Sequence, residues 1–362
     1  MNNKIPSPSP RNILIIHTHG GMGDLIVSSV LAEALKRSFP ACRVTVWPQR
    51  RYIGLFDHHP FVDACLELDP AAPVWTNLRP LRAHGFDAVI ISWSVTRHAW
   101  LAWLAAIPIR VGRTDRLLYS FLYTHRVHLR SRQGDRTSQW TDIQLDYARS
   151  IGCQASPDLK PIVVVTPTEK EKAAAFLKSS GITGERRICG LHVCKGLVVD
   201  EARWPLDRFV EIAAGLLRQG FDVAVTGVAN EKPLTAAVAE RARTALAADP
   251  GTDAPGRITD LAGLCSLRET AAVIARMDAL ICPDTGVGHL AAALNVPTVA
   301  IFPVRSDISA RWRPAIDAYR VIRPTRYDYC TRKCVKETCP RFECLLHVDA
   351  AEVVAAVLAI AR

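Results

Sequence analysis

The sequence predicts an α/β protein built from two doubly wound parallel sheets, each covered by helices on both faces. Three observations predict it. Short apolar runs of strand length alternate with stretches of helical spacing, the alternation occurs twice, and a Pro- and charge-rich segment, Cys153–Lys172, parts the two series. The expected domains are 1–165 and 166–362.

The elements follow in order. "NILIIH" (12–17) reads as a short buried strand, and "THGGMGD" (18–24) as a Gly-rich turn. "LIVSSVLAEALKRSF" (25–39) has helical spacing, with Leu25, Val27, Val30, Leu31 and Leu35 available for an inward face. "RVTVWP" (43–48) and "DAVIIS" (87–92) are further strands. In the second half "RICGLHV" (187–193), "FDVAVTG" (221–227), "DALICP" (278–283) and "TVAIFP" (298–303) repeat the strand pattern. Helical stretches lie between them, "LDRFVEIAAGLLRQG" (206–220) and "SLRETAAVIARM" (266–277) among them. The latter opens on Ser266 with Glu269 three residues on, the spacing of a capping box. The last stretch, "AAEVVAAVLAIAR" (350–362), is an apolar helix expected to pack back on the body.

Composition narrows the class. With 49% hydrophobic and 22% charged residues in 362, the chain is that of a folded protein long enough for two cores. Its longest uncharged apolar run, Ala99–Ile109, is Pro-broken and too short to span a bilayer. The "ILII" behind the polar N-terminus is too short for a signal-peptide core, so a cytoplasmic protein is expected. Much of the net charge of +10 sits between Arg97 and Arg136, where there are eight Arg, no Lys and two acids. A solvated basic face is one reading. The Arg-only composition points instead to a phosphate or carboxylate partner, because guanidinium binds those groups bidentately. Aromatic residues are not interleaved with these charges as a single-strand binder requires, so no nucleic-acid partner is expected. Of the 11 Cys, four cluster at Cys330, Cys334, Cys339 and Cys344. Their spacing is looser than the knuckles of common zinc sites. Ordinary thiols are the plainer reading, and a structural metal the alternative.

Two segments carry chemistry. In "CPDTGVGHLAAALNVPTVAIF" (282–302) a strand ends, a turn follows and a helix begins. Backbone N–H groups from Thr285 and Gly286 onward therefore stand at a helix N-terminus, which attracts phosphate. Thr285 can add a hydroxyl and His289 a ring N–H. A plain helix cap with a satisfied core histidine explains the same residues equally well. In "GGMGDLIVSS" (20–29) the dinucleotide fingerprint fails, since Gly21-x-Gly23 is followed by Ile26 where a third Gly would fall. Asp24 at the helix start would repel a pyrophosphate, so this loop suits a general base better than a phosphate cradle. A dehydrogenase is disfavoured on the same ground. An Asp that only stabilises its own helix is the competing reading.

Together these segments resemble glycosyltransferase family 9, the bacterial heptosyltransferases of lipopolysaccharide core assembly. The resemblance runs through "GGMGDLIVSSVLAEALKRSFP" (20–40), "RWPLDRFVEIAAGLLRQGFDVAVTGVANE" (203–231) and the block from Asp260 to Phe302, and extends to the Cys-bearing tail from Cys339. It implies a GT-B fold, two Rossmann-like domains facing a central cleft. It implies an inverting transfer of a heptose from ADP-heptose to an anionic lipopolysaccharide inner core, with no obligatory cofactor and with peripheral contact at the inner membrane. Residues 1–165 would bind the acceptor and carry the base, Asp24, with Gly23, Arg110, Arg113 and Arg116 on the acceptor. Residues 166–362 would bind the sugar nucleotide. There Asp284, Thr285, Gly286 and His289 would hold the diphosphate, Glu231 the ribose, and Leu264 and Cys265 would line the adenine pocket.

This sequence departs from the family pattern at three places. Where the family has a Lys two residues before the Trp of Trp-Pro, Ala202 stands, so Arg203 or Lys195 is expected to supply that charge. Val30 and Pro303 replace a usual Pro and Gly. The first departure leaves open a different sugar nucleotide, or a nucleotide-sugar-binding protein without turnover, and the resemblance itself leaves open another acceptor (O-antigen, capsule or protein).

Overall fold

Strand β1 (Asn12–His17) explains how the first half folds. Its side chains alternate between two cores: Ile13 and Ile15 enter one, Leu14 and Ile16 the other. Strand β4 (Ala88–Ile91), paired beside it in parallel, does the same, with Ala88 and Ile90 on one side and Val89 and Ile91 on the other. A strand apolar at every position is thus buried on both faces, as a parallel sheet demands.

The structure is a computed structural model and describes residues 9–93, 95–116, 118–193, 206–248, 256–303, 306–324 and 343–362. The chain divides into two compact units, Met1–Val164 and Val165–Arg362. In the first, β1 is followed by α1 (Met22–Ser28), α2 (Val30–Ser38), β2 (Arg43–Pro48), β3 (Ala64–Cys65) and α3 (Val74–Ala83). After β4 come α4 (Thr96–Leu104), β5 (Ile109–Arg113), β6 (His125–Val127) and α5 (Trp140–Arg149). The strand order is β3-β2-β1-β4-β5-β6, parallel throughout. Helices α2 and α5 pack together over one face, burying Leu31, Leu35, Ile143 and Tyr147. Helices α3 and α4 cover the other, where Leu81, Ala99 and Leu101 meet Trp47.

The helix expected over 25–39 is interrupted at Ser29. The hydroxyls of Ser28 and Ser29 donate to the carbonyls of Leu25 (2.8 Å) and Ile26 (2.7 Å), competing with the backbone ladder. Both halves still bury their apolar sides.

The second unit contains α6 (Pro167–Ser179), β7 (Ile188–His192), α7 (Leu206–Arg218), β8 (Asp222–Thr226), α8 (Lys232–Ala247), β9 (Ile258–Asp260) and α9 (Leu267–Ile274). Then follow β10 (Ala279–Pro283), α10 (Gly286–Ala293), β11 (Thr298–Ile301), α11 (Ser306–Trp312), β12 (Tyr319–Ile322) and α12 (Ala350–Ile360). Its sheet order, β12-β11-β10-β7-β8-β9, is the first unit's order read from the other edge. The capping box expected at Ser266 is present: the Ser266 N–H donates to Glu269 Oε2 at 2.8 Å, and the Glu269 N–H returns to Ser266 Oγ. Helix α12 packs on α7, β11 and β12 with Val353 and Val357 buried.

In each sheet the order reverses once, between β1 and β4 and between β7 and β10. Segments leaving these strand ends part to opposite faces and open a crevice, where ligands of such sheets bind. After β1 and β10 those segments are the Gly-Asp and Asp-Thr-Gly turns.

Candidate active site

Gly20 holds the first turn together. Its φ of +86° is left-handed backbone, and a Cβ there would lie 3.0 Å from the Trp93 ring and 3.1 Å from Asp24 Oδ2. The chain can therefore bring the Asp24 carboxylate and the Trp93 indole to one point only with glycine between them. Gly21 caps α1, and its N–H donates to Asp24 Oδ2 at 2.8 Å. That bond fixes the carboxylate at the helix N-terminus, and the Gly20 carbonyl is held by Gln49 Nε2 at 2.7 Å. Gly23 is buried one residue before Asp24.

Around this turn lies a cluster that sequence reasoning does not single out. His17, the last residue of β1, donates from Nδ1 to Ser92 Oγ at 2.8 Å, because that hydroxyl itself donates to the Ile16 carbonyl. Its Nε2 is buried with no partner. His98 is also fully buried, with Nε2 3.2 Å from Thr18 Oγ1 and Nδ1 unbonded. Burial pushes both imidazoles down to about 3, so each is neutral at physiological pH. Beside His98, Arg97 has two guanidinium nitrogens, Nε and Nη2, buried without a hydrogen bond. Buried guanidinium donors left unbonded are rare and call for a partner, either ordered water or a bound anion.

The arginines expected at an acceptor are placed differently. Arg110 donates from Nε to the Leu122 carbonyl (2.7 Å) and from Nη1 to the Ile107 carbonyl (2.6 Å), bracing β5. Arg113 is bound bidentately by Asp115. Arg116 is exposed.

In the second unit, β10 ends at Pro283 and α10 begins at Gly286 with Thr285 as its N-cap. Thr285 does not cap with its side chain: Oγ1 is buried, makes no hydrogen bond to the helix, and lies beside the Cys282 thiol, which burial pushes up to about 12. No acid occupies the first turn of α10. Thr285 therefore leaves the first N–H groups of this helix uncapped by its side chain, and no acid within the first turn opposes the positive end of its dipole. Gly288 packs α10 on its strand so closely that a Cβ would lie 2.7 Å from Cys282 Sγ. His289 is buried edge-on to Trp312, ring centroids 5.7 Å apart, and Asp284 lines the same small pocket.

The ribose and adenine residues lie in turns after β8 and β9. Glu231 is buried, and its Oε2 accepts the Val228 N–H at 2.8 Å. Its charge acts on His192 at the end of β7, although burial dominates and lowers that imidazole's pKa. Gly263, at φ +72°, lies flat against Ala229, and its N–H reaches the Gly227 carbonyl at 3.0 Å. This contact joins the Glu231 turn to the segment carrying Leu264 and Cys265. Those two line a cavity of about 250 Å³ with Phe176 and the Glu169–Arg268 ion pair. Lys195 and Arg203 lie outside the described residues, as do Cys330, Cys334 and Cys339. Cys344 is partly buried against the second unit's core. Among the described residues no three His, Cys, Asp or Glu are grouped to hold a metal, and no helix is long and apolar enough to cross a membrane.

The chain is similar to several known proteins. A lipooligosaccharide heptosyltransferase 2 of Haemophilus influenzae is 29% identical over 302 residues, 80% of this chain and 83% of that protein. The crystal structure of a family 9 glycosyl transferase from Veillonella parvula superposes with a TM-score of 0.78, covering 97% of both chains at 21% identity. The ADP-heptose lipopolysaccharide heptosyltransferase II of Escherichia coli superposes at 0.75, covering 96% of this chain and 98% of that one, also at 21% identity. These likenesses establish the GT-B fold that the sequence predicts. The family model for glycosyltransferase family 9 (heptosyltransferase) matches residues 74–343, most of the length. This chain is a glycosyltransferase and belongs to glycosyltransferase family 9.

Proposed function

We propose that the protein transfers a heptose from ADP-heptose to the inner core of lipopolysaccharide with inversion at the anomeric carbon. The observation that carries this reading is the start of α10, where Thr285 leaves the helix N-terminus uncapped and its own hydroxyl lies buried beside the Cys282 thiol. Such a seat suits the diphosphate of a sugar nucleotide, and the relatives named above act on ADP-heptose or bear the heptosyltransferase name.

In the proposed step an acceptor hydroxyl loses its proton to Asp24 as its oxygen attacks the anomeric carbon. The bond from that carbon to the diphosphate oxygen breaks, and ADP departs with the electron pair. The α10 amides and Thr285 stabilise the charge that develops on the leaving oxygen, with Asp284 and His289 shaping the pocket. Glu231 receives the ribose, and Leu264 and Cys265 flank the adenine. Arg203 or Lys195 completes the charge facing the diphosphate. No cofactor or metal enters the step.

On the acceptor side, Arg97 is the stronger seat for an anionic sugar, because its buried donors are unbonded while those of Arg110 and Arg113 are engaged. Arg116, exposed, and Gly23, beside the base, remain acceptor contacts. The acceptor is lipid-anchored, so the enzyme works at the inner face of the membrane. Ala202, in place of the family Lys, gives one specific reason to test other sugar nucleotides in parallel.

ADP release in the presence of core acceptor tests the reading. Removing a general base typically costs 10²–10⁴-fold, so Asp24→Ala should lose about that much turnover while its melting temperature holds. Unaltered turnover in that variant would sink the assigned base, and release from another sugar nucleotide alone would replace the donor.

A further inference from the structure

In the first unit, the large hydrophobic side chains left in water are not scattered. All of those exposed among the described residues lie on α3, at the end of β4, on α4 or in the turn at 118–122. Trp75 is 75% exposed, Leu118 83%, Phe121 58%, Trp103 48% and Trp100 38%. Trp100, Trp103 and Phe121 form one surface, the Trp100 ring lying 5.7 Å from Trp103 and 6.2 Å from Phe121, and α3, which carries Trp75, packs alongside α4, with Arg82 Nη2 donating to the Leu104 carbonyl at 2.9 Å. An apolar patch of this extent on a protein surface marks a contact site.

The charges around it identify the contact. From Pro70 to Gly134 the sequence has nine Arg, no Lys and two acids. Both acids are engaged, Asp87 by the backbone N–H groups of Arg11 and Asn12 and Asp115 by Arg113. Arg79 and Arg82, on α3, and Arg116, two residues before Leu118, are exposed. A second copy of this chain would bring the same positive face against itself and be repelled. Single-stranded nucleic acid needs open ring faces, whereas Trp100 stands at 89° to Trp103 and 82° to Phe121. Indole rings with arginines suit the headgroup level of an anionic bilayer, where tryptophan is enriched and each basic residue near the surface strengthens binding roughly fivefold.

We propose that α3, α4 and the 118–122 turn form the face by which the enzyme docks on anionic lipid, with Trp103, Leu118 and Phe121 entering the interface. The placement deepens the reading of a lipid-anchored acceptor and rests on it for its biological purpose. Helix α4 follows the carboxyl end of β4 and this turn the carboxyl end of β5, the same end of the parallel sheet from which the Asp24 turn leaves β1. The docked face thus lies at the same end of the sheet as the proposed acceptor side of the first unit.

The test is co-sedimentation of the full chain with vesicles of phosphatidylglycerol and phosphatidylethanolamine, against phosphatidylcholine alone. The triple variant Trp103→Ser, Leu118→Ser, Phe121→Ser should bind the anionic vesicles about tenfold or more weakly. Its melting temperature and its turnover on deacylated core acceptor should be unchanged, while turnover on vesicle-embedded acceptor falls. Wild-type protein that stays in the supernatant, or a triple variant that sediments as the wild type does, would overturn the proposal. So would a self-associated or RNA-bound wild type whose association the triple variant abolishes. If vesicle binding behaves as expected but deacylated acceptor is not turned over, the transfer reading fails and the docking face stands.

Discussion

Gly288→Ala tests whether the packing of α10 sets the diphosphate seat. The added Cβ would lie 2.7 Å from the buried Cys282 Sγ, about 0.7 Å short of ordinary contact, and the next nearest atom, Thr298 Cγ2, is at 4.0 Å. The strand is interior and the thiol is buried, so the helix is expected to yield by several tenths of an ångström. Overpacking of this kind costs about 1–3 kcal/mol, against about 1 kcal/mol gained from replacing glycine by alanine in a helix. The expected net loss is therefore up to about 2 kcal/mol. Function should suffer more, because displacing the α10 amides misaligns the donor, and a misplacement near 1 Å can cost about 10²-fold. Cys282→Ala removes the only close atom. The double variant should then recover most of the lost stability and donor kcat/KM, with a favourable coupling of about 1–2 kcal/mol. Thermal melts and initial rates of ADP release on the wild type, both single variants and the double variant read this directly. If Cys282→Ala leaves the Gly288→Ala defect in place, the contact is not what positions the helix and the reasoning fails.

Three further outcomes follow from the same geometry. Thr285→Val should raise the donor KM about tenfold, the value of one hydrogen bond to a charged group, while stability holds or improves because the hydroxyl is buried and uncapping; an unchanged KM removes Thr285 from the seat. Arg97→Gln should raise the acceptor KM at least tenfold with the donor KM and melting temperature unchanged, and a large fall in melting temperature would reveal a structural role instead. His17 and His98 carry folded pKa values lowered to about 3 from an unfolded value near 6.5, so their stability contribution is complete above pH 6.5 and is lost as pH falls toward 3. Each should remove up to about 1.4 kcal/mol per pH unit in that window. A His17→Gln variant should show a shallower decline of melting temperature between pH 6.5 and 4.5, and an identical decline would refute the assignment.

The sequence reveals this fold where strands are buried on both faces, and is silent where they are not. β1, β4, β7, β8, β10 and β11 are apolar runs that only a covered parallel sheet explains. β3 has two residues, β6 reads "HRV" and β12 "YRVI", and such edge strands mix polar and apolar positions without a clear period. Ser28 and Ser29 fit a helical pattern by spacing, and only their back-bonded hydroxyls show the interruption. The candidate site divides similarly. The Asp24 and Thr285 turns are readable because glycine chemistry and strand-to-helix boundaries are local. Arg97, His17 and His98 are not readable in this way, since an orphaned donor or a neutral histidine exists only once distant elements close over it.

The placement of the arginines decides what the basic window can do. Arg130 is bound by Asp142 and Asp146, Arg113 by Asp115, and Arg110 by two carbonyls, so much of the Arg97–Arg136 charge holds the first unit's own loops in place. Formal charge in a sequence window therefore overstates what a ligand meets. The remaining arginines separate by burial: Arg97 has sealed donors suited to one discrete anion, whereas Arg79, Arg82 and Arg116 lie in water. A buried guanidinium selects by geometry, and an exposed set attracts by field. An acceptor of the proposed kind, a charged sugar on a lipid, needs both, whereas the diphosphate seat proposed in the second unit rests on backbone amides with a single cation, Arg203 or Lys195, to complete its charge.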